Sequence, residues 1–336
     1  MIALLNQLNV DALIINDPVD IFYFTKVKIS VGHLIIEKDC LTLYVDGRYF
    51  EKCQKQALCA VKLFDETQLV AHVNSFKKVG FDSHFWTVDI FSKNKKRFQV
   101  DLVPIASPTK MKRVIKTKEE ISLMKKAASL NKQAIEYAFS LLKEEITEKE
   151  IALEFECFAK KHGAEDLSFA TIVAFGRNSS RPHHETGDTR LKKGDIVLID
   201  CGVSYNKYQS DMTRCMFFGD PDPKLQEFYE IVKKAQKKAI EMCRPGIVIQ
   251  DLDKAAREFI SSYGYEKLFC HGLGHGVGLL VHEYPAVNQK GSDSLDILQE
   301  NMVITIEPGI YEPGLGGVRY EDTILITKNG YENFYE

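Results

Sequence analysis

Four carboxylates and one imidazole stand on separate chain segments that could converge: Asp200 and Asp211, then His275, then Glu307 and Glu321. Such a set is hard, oxygen-rich and strongly anionic. It would repel itself unless divalent cations neutralised it, so the residue types point to a two-metal hydrolytic centre. Asp200 ends the apolar run 196–199 and precedes Cys201-Gly202, the pattern of a buried strand stopping at a turn. Asp211 opens a β-like segment to 218, and the short polar stretch 204–209 predicts a hairpin that sets both aspartates at one end of a sheet. Glu307 follows the apolar run 302–306 and precedes the breaker Pro308-Gly309. Glu321 lies in the run 318–326, predicted as one strand, where the two-residue period puts Arg319 and Glu321 on one face.

Each residue has an ordinary alternative. An Asp before Gly is usually a turn residue, and a lone Glu in a strand is usually solvated. Against this, burying unpaired charge at apolar strand ends is costly, and a histidine–glycine cluster accompanies the carboxylates. That cluster is His271-Gly272-Leu273-Gly274-His275-Gly276-Val277-Gly278, with His282 further on. It is not a zinc-binding helix, because no Glu stands beside the first His and each alternate glycine would cost a helix about 1 kcal/mol. It is not a phosphate-cradling loop either, since that spacing needs glycine in place of Val277 or Leu279. Extended backbone, with glycines packed against a ligand or a neighbouring strand, is left. His183, in Arg181-Pro182-His183-His184, is a further candidate.

Together these segments, with Ile306-Glu307-Pro308-Gly309 and Gly317-Val318-Arg319-Tyr320-Glu321-Asp322, resemble the pita-bread metallopeptidases, specifically the branch of Xaa-Pro aminopeptidases (aminopeptidase P) and Xaa-Pro dipeptidases (prolidases). Val45-Asp46-Gly47-Arg48-Tyr49 resembles the Asp-x-Arg-Tyr signature of the same branch. The departures are Arg181, where a small or apolar residue is commoner, and Cys201 in a variable slot. The resemblance implies that Asp211 and Glu321 bridge two cations, that Asp200 completes one site, and that His275 and Glu307 complete the other. It implies that Glu307 also moves a proton, that His183 and His282 orient the substrate and its developing oxyanion, and that His271 lines the pocket. Arg319 would support Glu321 or meet a substrate carboxylate. Oxygen-rich ligation favours manganese, with cobalt or zinc able to substitute.

The substrates so implied are short peptides with proline in second position, whose amide lacks an N–H and needs no acceptor in the site. We read an Xaa-Pro aminopeptidase, with Xaa-Pro dipeptidase as the alternative. They differ in whether the carboxylate directly after proline must be recognised. A non-catalytic pita-bread peptide-binding module is the alternative of another class, but such modules typically lose the ligands that this chain retains. The same point sets metal-free creatinase-like chemistry aside. A methionine aminopeptidase would share the ligands without needing the N-terminal domain.

The elements that must position these residues form two domains, as 336 residues predict. Residues 1–112 read as a creatinase-like α/β domain, with strands at 11–15, 33–36 and 41–45 and helices at 48–57 and 84–94. It carries no catalytic cluster, and walls for the site or a homodimer contact are its expected contribution. Residues 113–336 read as an α+β pita-bread catalytic domain with pseudo-two-fold helix-helix-sheet halves. Capping boxes at Thr117/Glu120 and Thr147/Glu150 predict helices over 117–142 and 147–162, and further helices are predicted from Asp222-Pro223 to about 243 and from Asp251 to about 263. Asp200 and Asp211 then come from one half, and His275, Glu307 and Glu321 from the other.

A net charge of −3 argues against nucleic acid, and the one basic concentration, 110–118, reads as a solvated junction. No segment offers the roughly 20 apolar residues of a membrane span and no early cationic region marks a leader, so a soluble cytoplasmic protein is expected. Eight cysteines without a Cys-x-x-Cys predict reduced, mostly buried thiols.

Overall fold

The computed structural model describes residues 1–289 and 296–336, which divide into two compact units, Met1–Arg113 and Val114–Glu336. In the first, six strands form one mixed sheet in the order Ala60–Leu63, Leu41–Val45, His33–Ile36, Ala12–Ile15, Lys78–Asp82 and Asp101–Ile105. The side-chain alternation explains its central strands. Leu13, Ile15, Leu34, Ile36, Leu43 and Val45 fill a core on one face, while Ala12, Ile14, Ile35 and Tyr44 fill another on the opposite face. Asp46 caps the helix Gly47–Gln56 by accepting from Arg48 N at 2.9 Å, and pairs with the Arg48 guanidinium at 2.6 Å. The Asp-x-Arg element therefore works as an N-cap with its own counter-ion. The helix expected over 84–94 begins later, at Val88, because Thr87 provides the cap to Ile90 N.

In the second unit the capping boxes form as predicted. Thr117 with Glu120 opens the helix Lys118–Ser140, and Thr147 with Glu150 opens Glu148–Lys161. Helices Pro223–Met242 and Ile249–Ser261 make the second pair, with Asp251 in the first turn of the latter rather than at its cap. Three strands, Ile172–Phe175, Ile196–Cys201 and Met212–Phe217, form one sheet. Ile196 and Leu198 enter the core beneath the helices Pro223–Met242 and Ile249–Ser261. Val197, Ile199 and Cys201 enter the core beneath the first helix pair. A five-stranded sheet in the order Glu283–Val287, Gly274–Gly276, Val303–Ile306, Asp322–Thr327 and Gly330–Asn333 belongs to the other half. No helix among the described residues is long and apolar enough to cross a membrane.

Three expectations change. Strands Ile196–Cys201 and Met212–Phe217 do pair antiparallel, with Thr213 opposite Asp200, but the link between them is a hairpin in a separate sheet. Asn206 and Lys207 hold its turn with φ of 45° and 70°, which suits a tight two-residue connection. The run 318–326 is two strands: Gly316–Arg319 pairs with Gly309–Glu312, whereas Asp322–Thr327 pairs with Val303–Ile306. Glu321 lies at the switch between sheets. The basic run is not simply solvated, because Arg113 pairs with the buried Asp20 at 2.8 Å and the buried Lys116 with Glu283 at 3.3 Å. The eight cysteines are free; Cys53, Cys201, Cys215 and Cys243 are buried, and Cys40 and Cys270 are exposed.

Candidate active site

Asp200 is the penultimate residue of its strand, and Asp211 directly precedes the antiparallel partner strand. Asp211 is fixed through its own carbonyl, which accepts from Thr323 Oγ1 at 3.0 Å and Tyr335 Oη at 2.8 Å. Its neighbour Thr213 joins the two halves. The Thr213 hydroxyl donates to Glu321 Oε2 at 2.8 Å and accepts from Arg319 Nε at 2.9 Å. Arg319 Nη2 donates to Asp200 Oδ2 at 2.7 Å.

The glycines of the 271–278 run explain how His275 reaches this point. A Cβ on Gly274 would lie 2.1 Å from the Thr305 carbonyl oxygen, and one on Gly276 would lie 2.2 Å from that of Tyr284. Only glycine lets the strand pass between its two neighbours. Gly274→Ala should therefore cost roughly 1–3 kcal/mol by overpacking and should displace His275. Denaturant unfolding together with metal analysis checks this, and an unchanged midpoint would reject the reading of the close approach. At the near end of the run, the buried carboxylate of Asp253 accepts from Leu273 N and is forked by Arg257, which also donates to the Phe269 and His271 carbonyls.

Among the described residues, Asp211, His275 and Glu321 each offer a ligand atom within 4.8 Å of the others. His275 Nε2 lies 3.6 Å from Asp211 Oδ2 and 3.4 Å from Glu307 Oε1. Since Nδ1–H donates to the Gly276 carbonyl at 3.0 Å, Nε2 turns a lone pair toward the carboxylates. Burial holds His275 at a pKa of about 4, with nearby His282 adding to the effect, so the ring is neutral at pH 7. Burial pushes Glu307 up to about 8, with Asp200 adding and Arg319 opposing. Asp211 and Glu321 are driven well upward by burial and then by neighbouring carboxylates. Asp200 Oδ1 is buried and has no hydrogen-bond partner among the described residues. Lone pairs facing lone pairs, a carboxylate oxygen without a partner among the described residues and a donor set of carboxylates with one imidazole fit divalent cations.

A cavity of about 880 Å³ opens over this cluster, and His183, His271 and His282 line it with Arg319 and the carboxylates. The His282 ring lies 4.3 Å from that of His275. His271 is committed to the protein through Tyr311 Oη and the Gly272 carbonyl, whereas the exposed His183 and His282 have no hydrogen bond to the protein among the described residues. Sequence reading left out Thr213 and Tyr311. Thr213 stands two residues from Asp211, on the same face of an extended segment, which was a usable signal. Tyr311 had none, because it reaches Arg319 and His271 only through tertiary packing.

The family model for metallopeptidase family M24 matches residues 122–328, and that for the creatinase/prolidase N-terminal domain matches residues 1–115. The chain is 40% identical over 336 residues to a Xaa-Pro dipeptidase of Pyrococcus furiosus, covering 98% of this chain and 94% of that one. Its structure is similar to the Xaa-Pro dipeptidase from Bacillus anthracis, with a TM-score of 0.96 at 31% identity over 99% and 95% of the two chains. An X-Pro aminopeptidase from Thermotoga maritima gives a TM-score of 0.91 at 31% identity over 98% and 97%. The sheet pattern, the paired helices and these matches agree on a creatinase-type α/β domain followed by a pita-bread domain. The chain therefore belongs to metallopeptidase family M24 and carries a creatinase/prolidase N-terminal domain ahead of its pita-bread catalytic domain.

Proposed function

We propose that the chain is a Xaa-Pro dipeptidase dependent on two divalent cations, which its oxygen-rich ligands would take as manganese. The observation that carries this is the convergence of Asp211, His275 and Glu321, with Asp200 and Glu307 beside them, at one wall of the cavity. Sequence reading set the aminopeptidase first. The order is reversed here because relatives named Xaa-Pro dipeptidase match at up to 40% identity over nearly the whole chain, against 31% for the solved X-Pro aminopeptidase.

In this reading Asp211, Glu321, Asp200, His275 and Glu307 would hold the cations, with Asp211 and Glu321 shared between them. Bound there, divalent cations lower the proton affinity of water and polarise a peptide carbonyl. Glu307 takes the proton released at the attacking water and returns it to the departing proline nitrogen. Thr213 orients Glu321, and Arg319 orients Asp200 while completing the Thr213 bond. His183 and His282, which make no hydrogen bond to the protein among the described residues, steady the carbonyl oxygen and the proline carboxylate.

Ala-Pro, Ala-Pro-Ala and Ala-Ala, incubated separately with manganese-loaded protein and resolved by chromatography, test the reading. Ala-Pro should be cut, Ala-Pro-Ala roughly tenfold more slowly or less, and Ala-Ala not at all. Equal or faster cleavage of the tripeptide would make the protein an aminopeptidase. Failure to cut any of them would leave the peptide-binding module.

A further inference from the structure

Glu148 is a fully buried carboxylate that the chemistry above does not use. It is the first residue of the helix Glu148–Lys161, and at a helix N-terminus a carboxylate is ordinarily a solvated complement to the dipole. Here it turns inward and holds a loop. Oε1 accepts from Phe175 N and from Asn178 Nδ2, both at 2.8 Å. Oε2 accepts from Gly187 N at 3.0 Å and pairs with His184 Nε2 at 2.9 Å. Both oxygens are saturated, and their partners lie on both arms of the segment that carries His183 over the cavity.

The preceding residue is anchored as well. The Pro182 carbonyl accepts from Arg319 Nη1 at 3.4 Å, and the same guanidinium holds Asp200. His183 is therefore suspended between Pro182, tied to the carboxylate cluster, and His184, tied to Glu148. We infer that Glu148, with His184, is a positioning residue that sets His183 over the cavity. Glu148 offers acceptors only, so no other side chain of its length can meet four donors at once. A glutamine turns its NH2 toward either Phe175 N and Asn178 or Gly187 N and His184, and either way donors face donors. The inference rests on the role proposed for His183, but the position of that ring can be read independently of catalysis.

The test uses the full chain loaded with manganese-site zinc, which is diamagnetic, and labelled at histidine ring carbons for NMR. The His183 signal is assigned by its loss in His183→Ala. In Glu148→Gln that signal should shift while those of His275 and His282 stay in place. Ala-Pro hydrolysis by the manganese form should lose about tenfold in kcat with little change in KM. In the His183→Ala background, Glu148→Gln should cost almost nothing further, because its effect passes through that ring. His184→Leu, which keeps the carboxylate, should move the His183 signal in the same sense, and His184→Gln should partly restore it. Should Glu148→Gln fold poorly, this second pair decides alone. A His183 signal unmoved by the variants that fold, or losses that multiply in the double variant, would overturn the inference. Wild-type protein inert toward Ala-Pro would reject the dipeptidase reading instead, and the NMR result would still decide the position of His183.

Discussion

Glu321→Gln should lower Ala-Pro hydrolysis by roughly a thousandfold, the scale expected when a preorganised charged group is lost from a buried site. Glutamine keeps the shape and leaves the Thr213 hydroxyl a partner, so loss of charge rather than of packing is tested. Chelation should abolish activity and manganese should restore it. Asp211→Asn should hold less metal than Asp200→Asn, because in the proposed arrangement Asp211 would serve both cations. Elemental analysis of the purified variants measures this, and full activity in verified metal-free protein would end the two-cation account. Metal-free protein should also respond to pH in a defined sense. Glu307 has its carboxyl raised from 4.5 to about 8, so folding binds a proton there. Its destabilising effect is absent below the unfolded value, grows as pH rises through that window and is complete above about 8. Asp211 and Glu321 act in the same direction. Metal-free protein should therefore unfold more readily at pH 8 than at pH 5, and added manganese should oppose that trend.

Legibility in the sequence followed how local the cause was. Capping boxes are settled within four residues, so Thr117/Glu120 and Thr147/Glu150 could be read directly. Strand ends with breakers behind them placed Asp200 and Glu307 for the same reason. The switch at Tyr320-Glu321 could not be seen, because 318–326 is uniformly strand-like and only pairing with two different partners divides it. Lys116 looked like linker charge, and the buried Glu283 that matches it comes far later in the chain. In the first unit, Lys78–Asp82 and Asp101–Ile105 escaped notice. Their apolar content is interrupted by Gly80 and Pro104, and parallel neighbours rather than hairpin partners hold them. Glu148 drew no reading at all, since nothing local tells a solvated first-turn carboxylate from one that gathers four donors.

Arg319→Met should be the most damaging change that leaves every candidate ligand in place. The guanidinium is buried and reaches Asp200, Thr213, Tyr311 and the Pro182 carbonyl at once. Methionine fills much of the space but strands Asp200, so metal-free stability should fall by about 3–5 kcal/mol, the usual cost of breaking a buried pair from one side. Arg319→Lys keeps the charge as a single point and cannot span acceptors arranged around a planar fork, so it should recover part of the stability and little of the rate. Cations supplied to Arg319→Met would replace much of the missing positive charge. Stability should then return further than activity, because Thr213 and Pro182 stay without their donor. Urea unfolding with and without manganese, beside kcat and KM for Ala-Pro and Ala-Pro-Ala, separates these effects. The positioning role predicts a fall in kcat for both peptides of roughly a hundredfold. A rise in KM confined to Ala-Pro, with kcat intact, would mean instead that Arg319 grips the proline carboxylate. That result would place the proline carboxylate on the fifth guanidinium N–H, the one that the four bonds to Thr213, Pro182, Tyr311 and Asp200 leave over among the described residues.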